Sequence, residues 1–269
     1  MIRLLALDFD GVIADSAPEA FVVALCTYAE MRPGTRLRVG AVPLSGTVVP
    51  PLERIAGDAL FAGFVDLMPL GNRAEDYAIV LAALDQACEL PDQAAYDAFR
   101  ARQDPEWLRA YHARFYRVRA SLMQADPEAW GRLIGPYPGF LGMLRRRAGE
   151  VLLAIATAKD RRSVAALLRS YGIDDLFPEG RVLDKETGVS KASHLEHLHR
   201  ISRVDYPEMA FIDDKVNHLD AVAPLGVRCL LAAWGYNGPR EASLARSRGY
   251  GVCTLDDVEA QLFGEDSRS

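Results

Sequence analysis

The sequence lacks any apolar run long enough to cross a membrane. A membrane-spanning helix needs about 18 consecutive apolar residues, and no segment of this chain approaches that length. The apolar run near the N-terminus is short and ends at Asp8, so it does not resemble a signal peptide. We therefore expect a cytoplasmic protein with no membrane partner.

Cysteine is also scarce in this chain. The four cysteines lie far apart, without the CxxC or Cys/His spacing of a zinc site and without the density of a disulfide-stapled fold. They are Cys26, Cys88, Cys229 and Cys253. The sequence therefore predicts free thiols in a reducing compartment.

Positive charge is in deficit. The chain has 31 Lys and Arg against 37 Asp and Glu, a net charge of -6. Because nucleic-acid-binding surfaces are usually strongly basic, we expect no nucleic-acid partner. Half of the 269 residues are hydrophobic, which suffices for the core of one large domain or of two smaller ones.

The sequence does contain short apolar runs that are typical of buried parallel strands. They cover residues 3–8, 151–156, 209–213 and 227–232, with a weaker one at 180–184. Helical patterns lie between them. In the clearest, at 160–172, Asp160 would cap the start of the helix and Gly172 would end it. This alternation predicts an α/β fold, a Rossmann-like parallel sheet with helices on both faces.

A long helical segment interrupts this alternation after the first strand. Its apolar spacing is helical, as at 76–90 and 105–123, and no convincing strand intervenes. The sequence therefore predicts two domains: an α/β core formed by residues 1–15 and 138–269, and an inserted all-helical domain formed by residues 16–137.

Polar residues follow the ends of the predicted strands. In an open parallel sheet, ligands bind beyond the carboxyl ends of the strands. Carboxylates grouped there suit a hard cation such as Mg²⁺, which would also attract a phosphate. A cation and a nearby lysine would offset the repulsion between Asp8 and Asp10. The strand-end residues are Asp8, Asp10, Thr157, Asp213 and Asp214, and Lys191 lies in the polar segment 184–194.

In their order, these segments resemble the four motifs of the haloacid dehalogenase (HAD) superfamily. The matches are LALDFDGV at 5–12, LLAIATAKD at 152–160, GVSKASH at 188–194 and FIDDKVNHLDAVAPLGV at 211–227. The resemblance also includes WGY at 234–236. It points to phosphoglycolate-phosphatase-like phosphatases, and it implies that the inserted segment is a C1-type helical cap that closes over the active site.

The resemblance implies a role for each motif residue. Asp8 would be the nucleophile that forms an aspartyl-phosphate, since a carboxylate is ionised at neutral pH and needs no activating base. Asp10 would be the acid/base, with its main-chain carbonyl on the metal. Thr157 would hold a phosphoryl oxygen through its hydroxyl and its main-chain N–H. Lys191 would stabilise the nucleophile and the phosphoryl group; Lys185 is the alternative, but GVSKASH leads better into a helix.

The acidic pair of the last motif, Asp213 and Asp214, leaves two candidates for the metal ligand. Counted back from Gly226, Asp214 falls at the family's metal-binding position and Asp213 falls where glycine is usual. His218 falls where many relatives carry a second acid, for which Asp213 or a water could compensate. The candidate metal ligands are Asp8, Asp10, Asp213 and Asp214.

The inserted segment is expected to select the substrate. Arg114 and Arg117 could share a helix face, with Arg73 facing them, and could bind a second anionic group; a solvated helix face is the alternative. Lys159 is a further candidate for substrate binding. An aromatic series at four-residue spacing is expected to form core in this segment: Trp107, Tyr111 and Phe115. At about 120 residues, the segment should contain more than four helices.

These observations and the resemblance imply a Mg²⁺-dependent phosphatase that acts on a small phosphorylated metabolite, as a monomer or a homodimer. Asp10 favours phosphate esters, because the family's dehalogenases lack this second aspartate. A phosphomutase of the same superfamily is the enzymatic alternative, which product analysis would separate. A non-enzymatic phospho-receiver-like or binding module is the alternative of a different class; a stable phosphoprotein without turnover would indicate it.

Overall fold

The computed structural model describes residues 1–40, 48–71, 73–184, 186–188 and 190–264. The chain divides into two compact units, which we call the sheet unit (Met1–Asp15 and Pro136–Ser269) and the helical unit (Ser16–Gly135). The rival lysine of the third motif, Lys185, lies outside the described residues, as do residues 265–269. Within the described ranges, no helix combines the length and the apolar character that a membrane span requires.

The strands are short, and six of them form one parallel sheet. The strands are β1 (Leu4–Leu7), β2 (Ala14–Asp15), β3 (Gly135–Pro136), β4 (Leu152–Ala156), β5 (Val182–Leu183), β6 (Met209–Asp213), β7 (Arg228–Ala232) and β8 (Gly251–Cys253). The order in the sheet is β5-β4-β1-β6-β7-β8. Leu4 pairs with both Leu152 and Met209, which fixes β1 at the centre. The five predicted strands are confirmed; β8 was not predicted.

The described part of the helical unit contains seven α-helices. They are α1 (Ala17–Met31), α2 (Leu52–Ala56), α3 (Ala59–Leu67), α4 (Ala74–Asp85), α5 (Gln93–Ala101), α6 (Pro105–Ala125) and α7 (Pro127–Arg132). Tyr111 and Phe115 of α6 are buried, and the Trp107 and Tyr111 ring centroids lie 5.7 Å apart. The Tyr111 hydroxyl donates to the Ala24 carbonyl at 2.8 Å. The aromatic series is therefore core of this unit, as predicted.

Six further α-helices belong to the sheet unit. They are α8 (Pro138–Arg147), α9 (Arg161–Tyr171), α10 (Lys191–Ser202), α11 (Val216–Val222), α12 (Pro239–Ser247) and α13 (Val258–Phe263). The predicted caps of α9 are confirmed: the Asp160 side chain accepts from the Ser163 N–H at 2.9 Å, and Gly172 adopts φ +66° after the last turn.

The core of the sheet unit positions the strand ends. All of β1 is buried, because a parallel sheet is covered on both faces. Leu195 and Leu198 of α10 pack in the same cluster as Leu4 and Ala154 of the sheet. Ser190 caps α10 by accepting from the Ser193 N–H at 3.2 Å, so the helix begins at Lys191. The predicted α/β fold is confirmed.

Candidate active site

The candidate site lies at the carboxyl ends of three adjacent strands. Asp8 follows β1, Thr157 follows β4 and Asp213 ends β6, and these strands are neighbours in the order β4-β1-β6. Lys191, the first residue of α10, brings a cation to the same place. The sheet therefore gathers residues that are up to about 205 positions apart in the sequence.

Lys191 connects the elements of the site. Its Nζ lies 2.7 Å from Asp8 Oδ1 and 3.2 Å from Asp213 Oδ2, and it donates to the Ala156 carbonyl at 2.6 Å. An ammonium has three N–H donors, so these three acceptors use all of them. Burial alone would lower the pKa of Lys191, but Asp213 and Asp8 more than offset it and the pKa is raised. Lys191 is therefore a buried cation.

Asp8 has one engaged oxygen and one available oxygen. Oδ1 accepts from Lys191 and from the Phe9 main-chain N–H, the latter at 2.7 Å. No hydrogen bond to Oδ2 is present among the described residues. Burial raises the pKa of this carboxyl, while the ammonium of Lys191 opposes the shift. The arrangement leaves Oδ2 for a reaction partner.

Asp213 is a fully buried carboxylate with several donors around it. Oδ1 accepts from the Lys215 main-chain N–H at 3.0 Å. The Nδ1 atom of His218 lies 3.0 Å from each carboxylate oxygen. Burial disfavours the ionised form, but the charges of Lys191 and His218 and these hydrogen bonds hold the pKa of Asp213 well below its ordinary value.

Asp214, the next residue, is left with an unsatisfied oxygen. Oδ2 accepts from the Tyr236 main-chain N–H at 3.0 Å. Oδ1 is buried and has no partner in the part of the chain that the structure describes. Burial, and then the charge of Asp213, raise the pKa of Asp214 well above its ordinary value. A cation beside this oxygen would give Oδ1 a partner and would offset the negative charge of Asp213.

Two glycines allow the neighbouring loops to approach Asp214. A Cβ atom on Gly11, which has φ +83°, would lie 2.5 Å from Asp214 Oδ2. A Cβ atom on Gly235 would lie 2.4 Å from the Asp214 Cβ and 2.5 Å from the Gly11 carbonyl oxygen. The indole N–H of Trp234 donates to the Val12 carbonyl at 3.1 Å and ties the two loops together. No role was predicted for WGY at 234–236; a glycine between two aromatic residues after a strand was the available signal.

Asp10 is paired with a lysine. Lys159 Nζ lies 2.9 Å from Asp10 Oδ1, and only 8% of the Lys159 side chain is exposed, against 31% for Asp10. The Lys159 main-chain N–H donates to Thr157 Oγ1 at 3.1 Å, which fixes the turn that carries it. The predicted substrate-binding lysine therefore lies beside the predicted acid/base.

The predicted use of the Thr157 main-chain N–H is wrong. This N–H donates to the Leu183 carbonyl at 2.9 Å, because β5 pairs with β4 up to this point. The adjacent Ala158 is exposed, and its N–H makes no hydrogen bond within the described residues. Ala158 N–H is therefore the better candidate donor to a phosphoryl oxygen, alongside the Thr157 hydroxyl.

The donor set fits a hard divalent cation. Asp8, Asp213 and Asp214 are three buried carboxylates, and among the described residues the buried ammonium of Lys191 forms ion pairs with Asp8 and Asp213 only. Ligand atoms of Asp8, Asp213 and His218 lie within 4.8 Å of one another. In that grouping, however, the carboxylates of Asp8 and Asp213 both contact the ammonium of Lys191, which already offsets part of their negative charge. The unsatisfied oxygen of Asp214 is therefore the stronger indication of where a metal would bind, with oxygen ligands suited to Mg²⁺.

The three predicted anion-binding arginines lie in the helical unit. The Arg114 guanidinium pairs with Glu30 at 2.6 Å. The Arg73 side chain is 75% exposed and lies 3.9 Å from Glu75, and Arg117 is exposed. Substrate recognition by these residues stays a prediction. Arg114 is the least available of the three to bind a substrate anion, because its guanidinium is already paired with Glu30.

Comparisons with known proteins agree with the fold. The family model of haloacid dehalogenase-like hydrolases matches residues 2–226. No curated protein matches the sequence. A haloacid dehalogenase-like family protein from Streptococcus pneumoniae is similar in structure, with a TM-score of 0.61 at 15% identity over 97% of this chain and 98% of that one.

Two further solved structures carry phosphatase names. A predicted phosphoglycolate phosphatase from Haemophilus somnus has a TM-score of 0.59 at 17% identity, over 96% of both chains. A predicted phosphatase from Clostridium acetobutylicum has a TM-score of 0.59 at 12% identity, over 97% of this chain and 98% of that one. At such identities the likeness establishes the shared fold.

Proposed function

The chain belongs to the haloacid dehalogenase-like hydrolase family, and from that premise we propose that it is a Mg²⁺-dependent phosphatase of a small phosphorylated metabolite. The observation that carries the proposal is the contact of Lys191 with Asp8 at 2.7 Å, beside the unsatisfied oxygen of Asp214. A nucleophilic carboxylate, a fixed cation and a metal-binding carboxylate are what attack on a phosphate ester requires.

In the first step, Asp8 Oδ2 attacks the phosphorus atom. The bond between Asp8 and phosphorus forms as the bond from phosphorus to the ester oxygen breaks. Asp10 in its protonated form donates its proton to the departing oxygen, which leaves as an alcohol. The Thr157 hydroxyl and the Ala158 N–H donate to the phosphoryl oxygens, and Lys191 stabilises their negative charge.

In the second step, Asp10 accepts a proton from a water molecule. That water attacks the phosphorus atom of the aspartyl-phosphate, the bond to Asp8 Oδ2 breaks, and inorganic phosphate leaves. Asp8 is restored as a carboxylate and Asp10 as an acid, so the cycle closes without another reactant.

Asp8, Asp214 and the main-chain carbonyl of Asp10 would hold the Mg²⁺ ion. When bound, Mg²⁺ would lower the negative charge that the nucleophile meets at the phosphoryl group. The proposed roles divide the acidic pair: Asp214 serves the metal, and Asp213 remains with Lys191.

We assign the helical unit the role of a substrate-selecting cap. The unit is inserted directly after the β1 loop that carries Asp8 and Asp10. The metal would bind the phosphoryl group of any ester, and the charge of Lys191 would attract it, so discrimination among esters requires other groups. Arg73 and Arg117 are the most available candidates to bind an anionic substrate.

A panel of phosphorylated sugars, acids, nucleotides and amino alcohols tests the proposal. Phosphate release with Mg²⁺ is expected for at least one class, and none from the Asp8→Asn variant. Transfer of the phosphoryl group to the substrate instead of water would identify a phosphomutase. Release that survives in Asp8→Asn would contradict the proposal.

A further inference from the structure

His218 faces the carboxylate of Asp213 from the first turn of α11. Its Nδ1 lies 3.0 Å from both carboxylate oxygens of Asp213, which is fully buried, while 18% of the His218 side chain is exposed. An ionised carboxylate only accepts hydrogen bonds, so the contact requires a hydrogen on Nδ1. The ring therefore acts as a donor that fixes the Asp213 carboxylate.

Asp213 in turn fixes the ammonium of Lys191. The two groups lie 3.2 Å apart, and the Ala156 carbonyl holds the same ammonium at 2.6 Å. Neither anchor changes covalently in the proposed reaction. With two N–H donors anchored, the third is directed at Asp8 Oδ1, 2.7 Å away.

The contact between Asp213 and His218 joins two residues of the last motif that differ from the usual residues of the family. An acid stands at position 213, where glycine is usual, and a histidine stands at position 218, where a second acid is frequent. Two carboxylates at these positions would repel each other. A ring N–H at position 218 instead stabilises the acid at position 213.

We propose that His218 is a positioning residue: it holds Asp213 so that Asp213 and the Ala156 carbonyl aim the ammonium of Lys191 at Asp8. His218 then acts through Lys191 and does not serve the metal site. The catalytic part of this inference rests on the proposed phosphatase function, whereas the orientation of Lys191 does not.

His218→Ala and His218→Asn form a matched pair for the kinetic test. Asn carries an N–H donor at the same bond separation from Cα as His Nδ1, whereas Ala carries none. With an aryl phosphate, His218→Ala should lower kcat by about 10- to 100-fold, with KM and the half-saturating Mg²⁺ concentration within about threefold of wild type. His218→Asn should keep kcat within about threefold of wild type.

A second readout needs neither substrate nor metal. In ¹⁵N NMR of the full chain, a held ammonium gives a resolved signal with slow hydrogen exchange, which Lys191→Met would identify by its loss. The signal should persist in His218→Asn and exchange about tenfold faster or more in His218→Ala, since one anchor is loosened. If the alanine variant does not fold, His218→Gln replaces it in the test. Gln moves the N–H donor away from the Nδ1 position by one methylene.

Several results would overturn the proposal. These are an equal kcat loss in both variants, a Mg²⁺ affinity that falls together with kcat, and an ammonium signal unchanged in His218→Ala. If the wild-type protein hydrolyses no phosphate ester, the proposed function fails. The ammonium signal then decides the positioning role by itself.

Discussion

Nζ of Lys159 lies 2.9 Å from Oδ1 of Asp10. The lysine side chain is nearly buried and its main-chain N–H is fixed by Thr157, so the contact is held by the turn after β4. The proposed acid/base therefore has a cationic partner that comes from the second motif. Substrate binding would offer Lys159 a phosphoryl oxygen as a second acceptor.

The first prediction concerns this pair. Lys159→Met should lower kcat/KM by about 10- to 100-fold, because a charge-assisted hydrogen bond to Asp10 and an attraction for the phosphoryl group are both lost. Lys159→Arg retains the charge and should be less affected. Steady-state kinetics together with a melting curve check the effect. Equal losses in both variants, with a matching loss of stability, would indicate a purely structural lysine.

The second prediction concerns the proton donor. Asp10→Asn should slow formation of the phosphoenzyme far more with an alkyl phosphate than with an aryl phosphate, because an activated leaving group needs little protonation. Rapid-quench kinetics with both esters measures the first step. The same loss with both esters would remove the acid role from Asp10.

The third prediction separates the two acids of the last motif. Asp214→Asn keeps an acceptor for the Tyr236 N–H but loses the charge, and it should weaken Mg²⁺ binding by at least about 100-fold. Asp213→Asn should lower kcat with a smaller effect on Mg²⁺ affinity, since Asp213 faces Lys191 and His218. Isothermal titration with Mg²⁺ checks the ranking. The reverse order would assign the metal to Asp213.

Local signals explain how much of the fold could be predicted. The bounds of α9 follow from Asp160 and Gly172, whose capping depends only on adjacent residues. The β8 strand was missed because it has three residues, Gly251–Cys253, of which only Cys253 is buried. A strand this short has no periodicity to detect, and its pairing with β7 depends on the rest of the sheet.

The sequence predicted which residues belong to the candidate site, but it did not predict which of their side chains contact one another. Asp8, Asp213 and Lys191 were expected at the site from their positions after strands or before a helix. That Asp213 pairs with Lys191, and that His218 holds Asp213, depends on how α10 and α11 pack beside β6. The Thr157 N–H was misassigned because the pairing with Leu183 follows from the exact length of β5.

The fourth prediction concerns the helical unit. Arg73→Ala and Arg117→Ala should each lower kcat/KM for an ester with a second anionic group by roughly 1.5–3 kcal/mol, and should barely affect a neutral aryl phosphate. Arg114→Ala should have the smaller effect on specificity, because Glu30 already binds that guanidinium.

Arg109→Ala is the matched control for these variants, since its side chain is 70% exposed on the same helix as Arg117. It should leave both substrates unaffected. If all variants treat the two substrates alike, the arginines form a solvated surface, and specificity depends on other residues.

The most direct test of the mechanism is to trap the phosphoryl group on Asp8. Asp10→Asn should accumulate the phosphoenzyme from an aryl phosphate, because water is no longer activated for the second step. The experiment is an acid quench followed by mass spectrometry of the peptide that contains residues 4–16. The mechanism predicts one added phosphoryl group, located at Asp8 and absent from the Asp8→Asn, Asp10→Asn double variant. Turnover of phosphate esters by the wild-type protein, with no such adduct or with the adduct on another residue, would contradict it.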